Sequence, residues 1–308
     1  MLGLQGARAD PLVLSPPLEG LARVTLRAEW DDLLERRPAF RATLGVYGDI
    51  LDHWARWSPA RLTPLAWGAP ECRQRWERGV PLLAEASVAI GADELEDLLG
   101  ALMERLAELR EDAGPALHRF AGAWDRGAIG PEALLPAPGR IGTGAVEEIS
   151  GLGPELVTFL AYGSLRPPLD AYFASVRPHL DGDAWRLGAC PFCGGPPGFS
   201  DVLEDGRRRL ACHLCGGAWL YSRMKCPFCG SESSRDLVRL EPGDQDQGFV
   251  VIACKGCRSY VKELDRRVRW NGQSALVEDW GSPHFDLVAE RAGYRRPIPA
   301  PITLLARG

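Results

Sequence analysis

Two patterns of apolar residues divide the chain. In the first part, apolar positions recur every three or four residues, which is the period of one face of an α-helix. The two clearest stripes are Phe40, Leu44, Tyr47, Leu51 and Trp54, and Leu95, Leu98, Leu99, Leu102, Met103, Leu106 and Leu109. Each stripe predicts a helix, with Asp93 as the N-cap of the second and Gly114-Pro115 as its stop. Arg166-Pro167-Pro168 predicts a linker between later helices.

From about residue 185 the helical period disappears, and short apolar runs alternate with turns. These runs predict strands at 207–211, 218–222, 237–240, 249–253 and 259–264. A short helix is expected after them, at 285–292. The pattern therefore places a helical region before a region of small β modules.

Eight of the nine cysteines lie in the β region, as four Cys-x-x-Cys pairs. The pairs are Cys190/Cys193, Cys212/Cys215, Cys226/Cys229 and Cys254/Cys257. Eighteen residues separate the first pair from the second, and 24 separate the third from the fourth. This spacing is typical of two successive ribbon-type sites, each formed by two hairpin knuckles that supply four thiolates. Gly194 and Gly230 suit the positive φ that follows such a knuckle.

Other uses of cysteine fit the pattern less well. Four disulfides are not expected in a protein without a secretion signal, and the first ten residues show no basic-then-apolar leader. A thioredoxin-type exchange site has one pair ahead of a helix, whereas four pairs here precede strands. The ninth cysteine, Cys72, lies on an apolar stripe and is expected to be a small buried residue. We interpret His213, inside the second pair, as a surface residue.

The predicted fold class is α+β: an irregular all-α domain, two tandem rubredoxin-like or zinc-ribbon modules, and a short C-terminal helix. The expected boundaries are 1–183 for the helical domain, 184–223 and 224–270 for the two ribbons, and 271–308 for the C-terminal helix and tail. Only ten residues join the last knuckle of the first ribbon to the second ribbon, so we expect the ribbons to dock or share a strand.

Composition excludes several classes of function. The chain has 308 residues, is 45% hydrophobic and carries a net charge of −5, which is typical of a globular protein and not of one held to nucleic acid by bulk charge. No apolar run approaches the roughly 18 residues of a membrane helix, so a cytoplasmic protein is expected. Arg207-Arg208-Arg209 is interpreted as a solvated face. No nucleotide-binding, hydrolase or metalloprotease motif is present, so an enzyme is not expected.

The knuckles and their flanking residues resemble those of a known family. The matching segments are Trp185-Arg-Leu-Gly-Ala-Cys-Pro-Phe-Cys-Gly-Gly-Pro-Pro197, Leu210-Ala-Cys-His-Leu-Cys-Gly-Gly-Ala-Trp219, Arg223-Met-Lys-Cys-Pro-Phe-Cys-Gly230, Ala253-Cys-Lys-Gly-Cys-Arg-Ser-Tyr-Val-Lys262 and Gly293-Tyr-Arg-Arg-Pro297. Together they resemble the FdhE family of formate dehydrogenase accessory proteins, over essentially the whole chain. The resemblance implies a maturation factor that binds the catalytic subunit of a respiratory formate dehydrogenase. It also implies iron in rubredoxin-like sites formed by the eight paired cysteines.

The residues themselves leave the metal open, because four thiolates in a tetrahedron suit zinc as well as iron. Two other functions remain as alternatives: a rubredoxin-like electron carrier and a nucleic-acid-binding zinc ribbon. The first alternative predicts iron and activity without the helical domain. The second predicts zinc and an affinity that falls steeply with salt.

Overall fold

A computed structural model describes residues 20–58, 62–137, 140–141, 144–241, 246–270 and 272–299. The described ranges contain ten α-helices, eight of which precede the cysteine-rich region. In chain order they are α1 Gly20–Arg36, α2 Arg41–Arg56, α3 Ala69–Glu77, α4 Ala92–Leu109, α5 Gly114–Asp125, α6 Pro131–Leu134, α7 Gly144–Ser150, α8 Pro154–Phe173, α9 Ala275–Trp280 and α10 Pro283–Arg291. Within these ranges, no helix combines the length and the hydropathy that crossing a bilayer would require.

A small hairpin and one larger sheet make up the β structure. The strands are β1 Pro136–Ala137, β2 Arg140–Ile141, β3 Phe199–Val202, β4 Arg208–Ala211, β5 Ala218–Tyr221, β6 Leu237–Leu240, β7 Phe249–Cys254 and β8 Tyr260–Asp265. Strands β1 and β2 pair with each other, and the other six form a sheet in the order β5-β4-β3-β8-β7-β6. The predicted α+β class, with helices first and cysteine-bearing strands after them, is confirmed.

The six-stranded sheet consists of two three-stranded ribbons joined edge to edge. Within each ribbon neighbouring strands are antiparallel, whereas β3 and β8 meet in parallel with Ser200 opposite Glu263. The ribbons therefore share a sheet without sharing a strand. Strand β3 was not predicted, although each of its four residues is buried. Its Phe-Ser-Asp-Val sequence is not a short apolar run of the kind that predicted the other strands.

The two long apolar stripes lie on α2 and α4, apart from Phe40, which directly precedes α2, and most of their residues are buried in one core. Two predicted boundaries of α4 are wrong. Its N-cap is Gly91, and Asp93 lies in the first turn, where a carboxylate suits the positive end of the helix dipole. The helix ends at Leu109, and Gly114-Pro115 begins α5 instead of stopping α4. Proline is favourable there because the amides of a first turn have no helical acceptor.

The predicted linker at Arg166-Pro167-Pro168 is also wrong, because these residues lie inside the buried helix α8. Pro167 has no N–H to donate to the carbonyl of Gly163, four residues earlier. That carbonyl instead accepts a 2.6 Å hydrogen bond from Nε1 of Trp54 on α2. Tertiary packing thus replaces the helical bond that the proline removes.

The C-terminal segment returns to both parts of the molecule. Helix α10, near the predicted 285–292, packs Phe285 and Ala289 against the sheet residues Phe249 and Tyr260. Helix α9 was not predicted. Its Trp280 contacts the helical region, with its ring centroid 4.4 Å from that of Tyr47. The tail beyond residue 299 and the first 19 residues, which belong to the predicted outer domains, lie outside the described residues.

Candidate metal centres

Each Cys-x-x-Cys pair forms the same backbone turn. The N–H of the first cysteine donates to the carbonyl five residues later, and the N–H four residues later donates back to that cysteine's carbonyl. These bonds are Cys190–Gly195 and Gly194–Cys190, Cys212–Gly217 and Gly216–Cys212, Cys226–Ser231 and Gly230–Cys226, and Cys254–Ser259 and Arg258–Cys254, at 2.8–3.0 Å. The chain therefore contains four copies of the same knuckle.

The fifth residue of every knuckle has a positive φ. Glycine occupies this position in three knuckles, at Gly194, Gly216 and Gly230, as only a residue without Cβ adopts it freely. Arg258 occupies it in the fourth, with φ of 59°, and is the one non-glycine residue with positive φ in the described part of the chain. The guanidinium of Arg258 donates hydrogen bonds to the carbonyls of Ala292 and Gly293, and these bonds help offset the cost of the positive φ. The fourth knuckle is thus fastened to the segment after α10.

The knuckles pair as the spacing predicted. The Sγ atoms of Cys190 and Cys215 lie 3.5 Å apart, and those of Cys193 and Cys212 lie 3.6 Å apart. We call this group the first centre. The second centre has Sγ separations of 3.7 Å for Cys226–Cys257 and 3.8 Å for Cys229–Cys254. In each group all four sulfurs lie within 4.8 Å of one another.

These distances fit a tetrahedral metal ion. A tetrahedron with metal–sulfur bonds of about 2.3 Å has sulfur–sulfur edges of about 3.8 Å. None of the eight sulfurs forms a disulfide, and soft thiolate donors suit zinc or iron. Both groups can therefore hold a metal ion, and the geometry suits either metal.

The first centre is sealed by the helical region. Its four cysteines are at most 3% exposed. The carbonyl of Pro191 accepts hydrogen bonds from the Leu82 amide and from Nε1 of Trp76, at 3.0 and 2.9 Å. The ring of Phe192 packs edge-on against Trp76. Helix α3 and the residues after it thus form a lid over the first knuckle.

Two arginines hold the other knuckle of the first centre. Arg166 of α8 donates to the carbonyl of His213 at 2.7 Å, and Arg177 donates to the carbonyl of Cys215. Arg177 is also paired with the buried Asp170 at 2.7 Å. Both guanidinium groups bring positive charge to a cluster that becomes anionic when its thiols ionise. Sequence reasoning missed both arginines, because they lie far from the cysteines along the chain.

The prediction that His213 is a surface residue is wrong. Its side chain is 4% exposed, and its Nε2 lies 3.1 Å from a carboxylate oxygen of Asp279 on α9. Burial lowers the pKa of His213, and the carboxylate only partly offsets that effect. The imidazole packs so closely that a Cβ on Gly198 would lie 2.2 Å from it. His213 therefore joins the first centre to the C-terminal helices.

The second centre has a different environment. Cys226 and Cys254 are buried, but Cys229 is exposed and Cys257 is half-buried. Phe228, inside the third knuckle, packs on a small apolar cluster from β7 and β8. One side of the second centre therefore faces solvent.

The surroundings of the first centre shift the pKa values of its thiols. Burial raises the pKa of Cys190 and Cys193 well above the usual thiol value. Burial would also raise the pKa of Cys215, but hydrogen bonds from the other three thiols and the charge of Arg177 lower it well below that value. Burial thus opposes ionisation of Cys190 and Cys193, which a bound cation would favour.

A fully buried charge network lies next to the first centre. Lys262 of β8 places its Nζ 3.0 Å from Asp279 and 2.8 Å from Asp286. Arg296 contacts the same two carboxylates at 2.9 and 3.0 Å. Burial alone would raise the pKa of Asp279, but the charges of Arg296 and Lys262 outweigh it and hold that pKa far below its usual value. The network fastens α9 and α10 to the sheet.

The three adjacent arginines are not the solvated face that was predicted. Arg208 is 1% exposed and lies 3.1 Å from the buried Glu263, across the junction of the two ribbons. Arg209 pairs with the buried Asp201 at 2.9 Å. Two of the three charges are therefore paired with buried carboxylates, and the Arg208–Glu263 pair helps join the ribbons. Arg207 is the exposed member of the set.

Taken together, the fold and its two centres define a helical protein with paired tetrathiolate groups in its C-terminal part. Comparison with known proteins shows what the chain is similar to. The chain is 31% identical over 252 residues to the Protein FdhE homolog of Pseudomonas putida, covering 77% of this chain and 74% of that one. It therefore belongs to the FdhE family.

Other matches are partial or structural. The Protein FdhE homologs of Aquifex aeolicus and Stutzerimonas stutzeri are 29% and 36% identical, over 47% and 39% of this chain. The aligned segments span only 51% and 39% of those two relatives. The crystal structure of the FdhE protein from Pseudomonas aeruginosa has the same fold, with a TM-score of 0.58 at 20% identity, over 95% of this chain and 98% of that one. No family model matches the chain.

Proposed function

We propose that the chain is a cytoplasmic, non-enzymatic accessory factor that binds the catalytic subunit of a respiratory formate dehydrogenase. In this proposal it is needed for assembly or activation of that enzyme. Membership in the FdhE family supports the class of function. The observation that carries the proposal is the pair of tetrathiolate groups, which this chain positions with four copies of one knuckle.

The eight paired cysteines would hold two metal ions, with iron as the first expectation and zinc as the alternative. Zinc would supply a rigid cross-link, whereas iron would add a one-electron couple. The chain's own residues set the positions of the thiolates. The knuckle hydrogen bonds fix the turns, and Arg166 and Arg177 supply positive charge beside the first centre.

The helical domain, proposed to span 1–183, or the cleft between it and the ribbons, would engage the client subunit. A free-standing electron carrier is less well supported, because the first centre depends on helical residues for its cover. The pairs Arg208–Glu263 and Arg209–Asp201 weigh against a nucleic-acid surface, since they neutralise much of the local basic charge.

The test is client activation in cells that lack this chain. The tagged wild-type chain should co-purify with the formate dehydrogenase catalytic subunit and restore formate oxidation. Replacing Cys190 and Cys193 together with serine should remove one metal equivalent and abolish activation. Cys72→Ala is the control for loss of a buried cysteine: Cys72 lies on α3 but belongs to neither group of four, so this variant should keep both metal equivalents. A double variant that loses its metal and still activates the client would contradict the proposal.

A further inference from the structure

We infer that the two centres differ in metal exchange. The second centre releases and rebinds its metal ion, whereas the first centre keeps its metal ion as a permanent structural site. The inference rests on the metal binding proposed above and adds a division of labour to it. It is carried by the contrast in burial between two groups that have the same knuckles and nearly the same sulfur–sulfur distances.

Ligand exchange at a tetrathiolate requires an incoming donor to reach the cluster while one cysteine leaves it. At the first centre no cysteine is more than 3% exposed, so a donor in solution has no path to the sulfurs. The lid contacts at Pro191 and Phe192, and the arginine contacts at His213 and Cys215, must open first. Such opening is a local unfolding event with its own free-energy cost.

At the second centre that barrier is missing on one side. Cys229 is exposed and Cys257 is half-buried, so a soft donor such as a free thiolate can approach without disturbing the core. Phe228 packs on β7 and β8, Tyr221 donates to the carbonyl of Cys226, and Gly188 lies against Pro227, so the sheet and the first ribbon cover the Cys226 side. On the Cys229 side the space around Gly230 is open. The shell around a metal site controls its access to solvent, and an open side lets an incoming ligand reach the metal.

The position of each centre in the fold agrees with this division. The first centre lies where helix α3, helix α8 and the first ribbon meet, and His213 links it to Asp279 of α9. Loss of its metal would loosen several elements at once. The second centre is fastened through Arg258 to the segment after α10, and its Cys229 side is free. Metal can therefore leave or enter it while the rest of the fold stays assembled.

The test is the rate at which zinc leaves the full chain. Protein reconstituted with zinc would be mixed with excess 4-(2-pyridylazo)resorcinol, and release would be followed by the absorbance of the coloured complex. One equivalent should leave quickly and the second at least about 100-fold more slowly, because several hydrogen bonds must break before the first centre opens. Far-UV circular dichroism should not change during the fast phase.

Variants assign the two phases. Cys229→Ser should abolish or accelerate the fast phase and leave the slow equivalent unchanged. Removing the lid bond with Trp76→Phe should accelerate only the slow phase. Two equivalents that leave at one rate, or a slow phase that disappears in Cys229→Ser, would overturn the inference while leaving metal binding intact. Reconstituted protein that retains less than two equivalents would overturn the proposed metal binding as well.

Discussion

Replacing Lys262 with methionine is the sharpest test of the buried network beside the first centre. The Nζ of Lys262 is fully buried and donates to the Asp279 carbonyl at 2.6 Å, besides its contacts with the carboxylates of Asp279 and Asp286. Methionine keeps the volume and removes the charge. Two buried carboxylates then share Arg296 as their remaining cationic partner in this network.

Removing one partner from a buried ionic network costs about 3–5 kcal/mol, since the charges left behind cannot reach water. That is a large part of the roughly 5–15 kcal/mol by which a folded domain is stable. Urea unfolding followed by tryptophan fluorescence measures the loss in the free energy of unfolding. Arg267→Met is the control, because Arg267 pairs with Asp265 at the surface and its removal should leave the midpoint nearly unchanged. A loss for Lys262→Met below about 1 kcal/mol would refute the reasoning, since a buried unpaired charge costs more than that.

Two further changes test the contact between the two ribbons and the charge of Asp279. Gly188→Ala should destabilise the fold by at least about 1–3 kcal/mol, because its Cβ would lie 1.8 Å from the carbonyl oxygen of Pro227; Gly100→Ala, with open space around it, should not. A thermal melt compares them, and equal melting temperatures would contradict the close approach of the two ribbons. The lowered pKa of Asp279 beside Arg296 means that its ionised form stabilises the fold above the unfolded pKa of about 3.9. That contribution is lost as the pH falls further, so stability should fall more steeply below about pH 4 in the wild type than in Asp279→Asn, and parallel curves would contradict it.

The two groups of four cysteines could be predicted because their information is local. A Cys-x-x-Cys turn is specified by the cysteines and by the glycine that takes the positive φ, and each predicted knuckle forms. The predicted strands likewise agree closely with β4 to β8, since each is a short run between turns. Residue spacing also indicated which knuckles pair, because each ribbon is continuous in the sequence.

The remaining features depend on contacts between distant parts of the chain. Arg166-Pro167-Pro168 indicates a linker by local rules, yet these residues lie inside buried α8, where Trp54 supplies the hydrogen bond to Gly163 that Pro167 cannot. His213 lies between two cysteines and resembles a loop residue until helix α9 brings Asp279 to it. A polar residue is buried when a distant residue pairs with it, and the local sequence around the polar residue does not reveal that partner. Arg258 is a local signal that was missed, as it stands where the other knuckles have glycine.

The central claim is that the eight paired cysteines hold two metal ions, and the metal content of the purified chain tests it most directly. Protein purified without oxygen would be analysed for iron and zinc per chain, together with its visible spectrum. The account predicts a total of about two, made up of iron with thiolate-to-iron absorption or of colourless zinc. The Cys190→Ser/Cys193→Ser variant should hold about one. Wild-type protein that is folded and holds no metal would contradict the account.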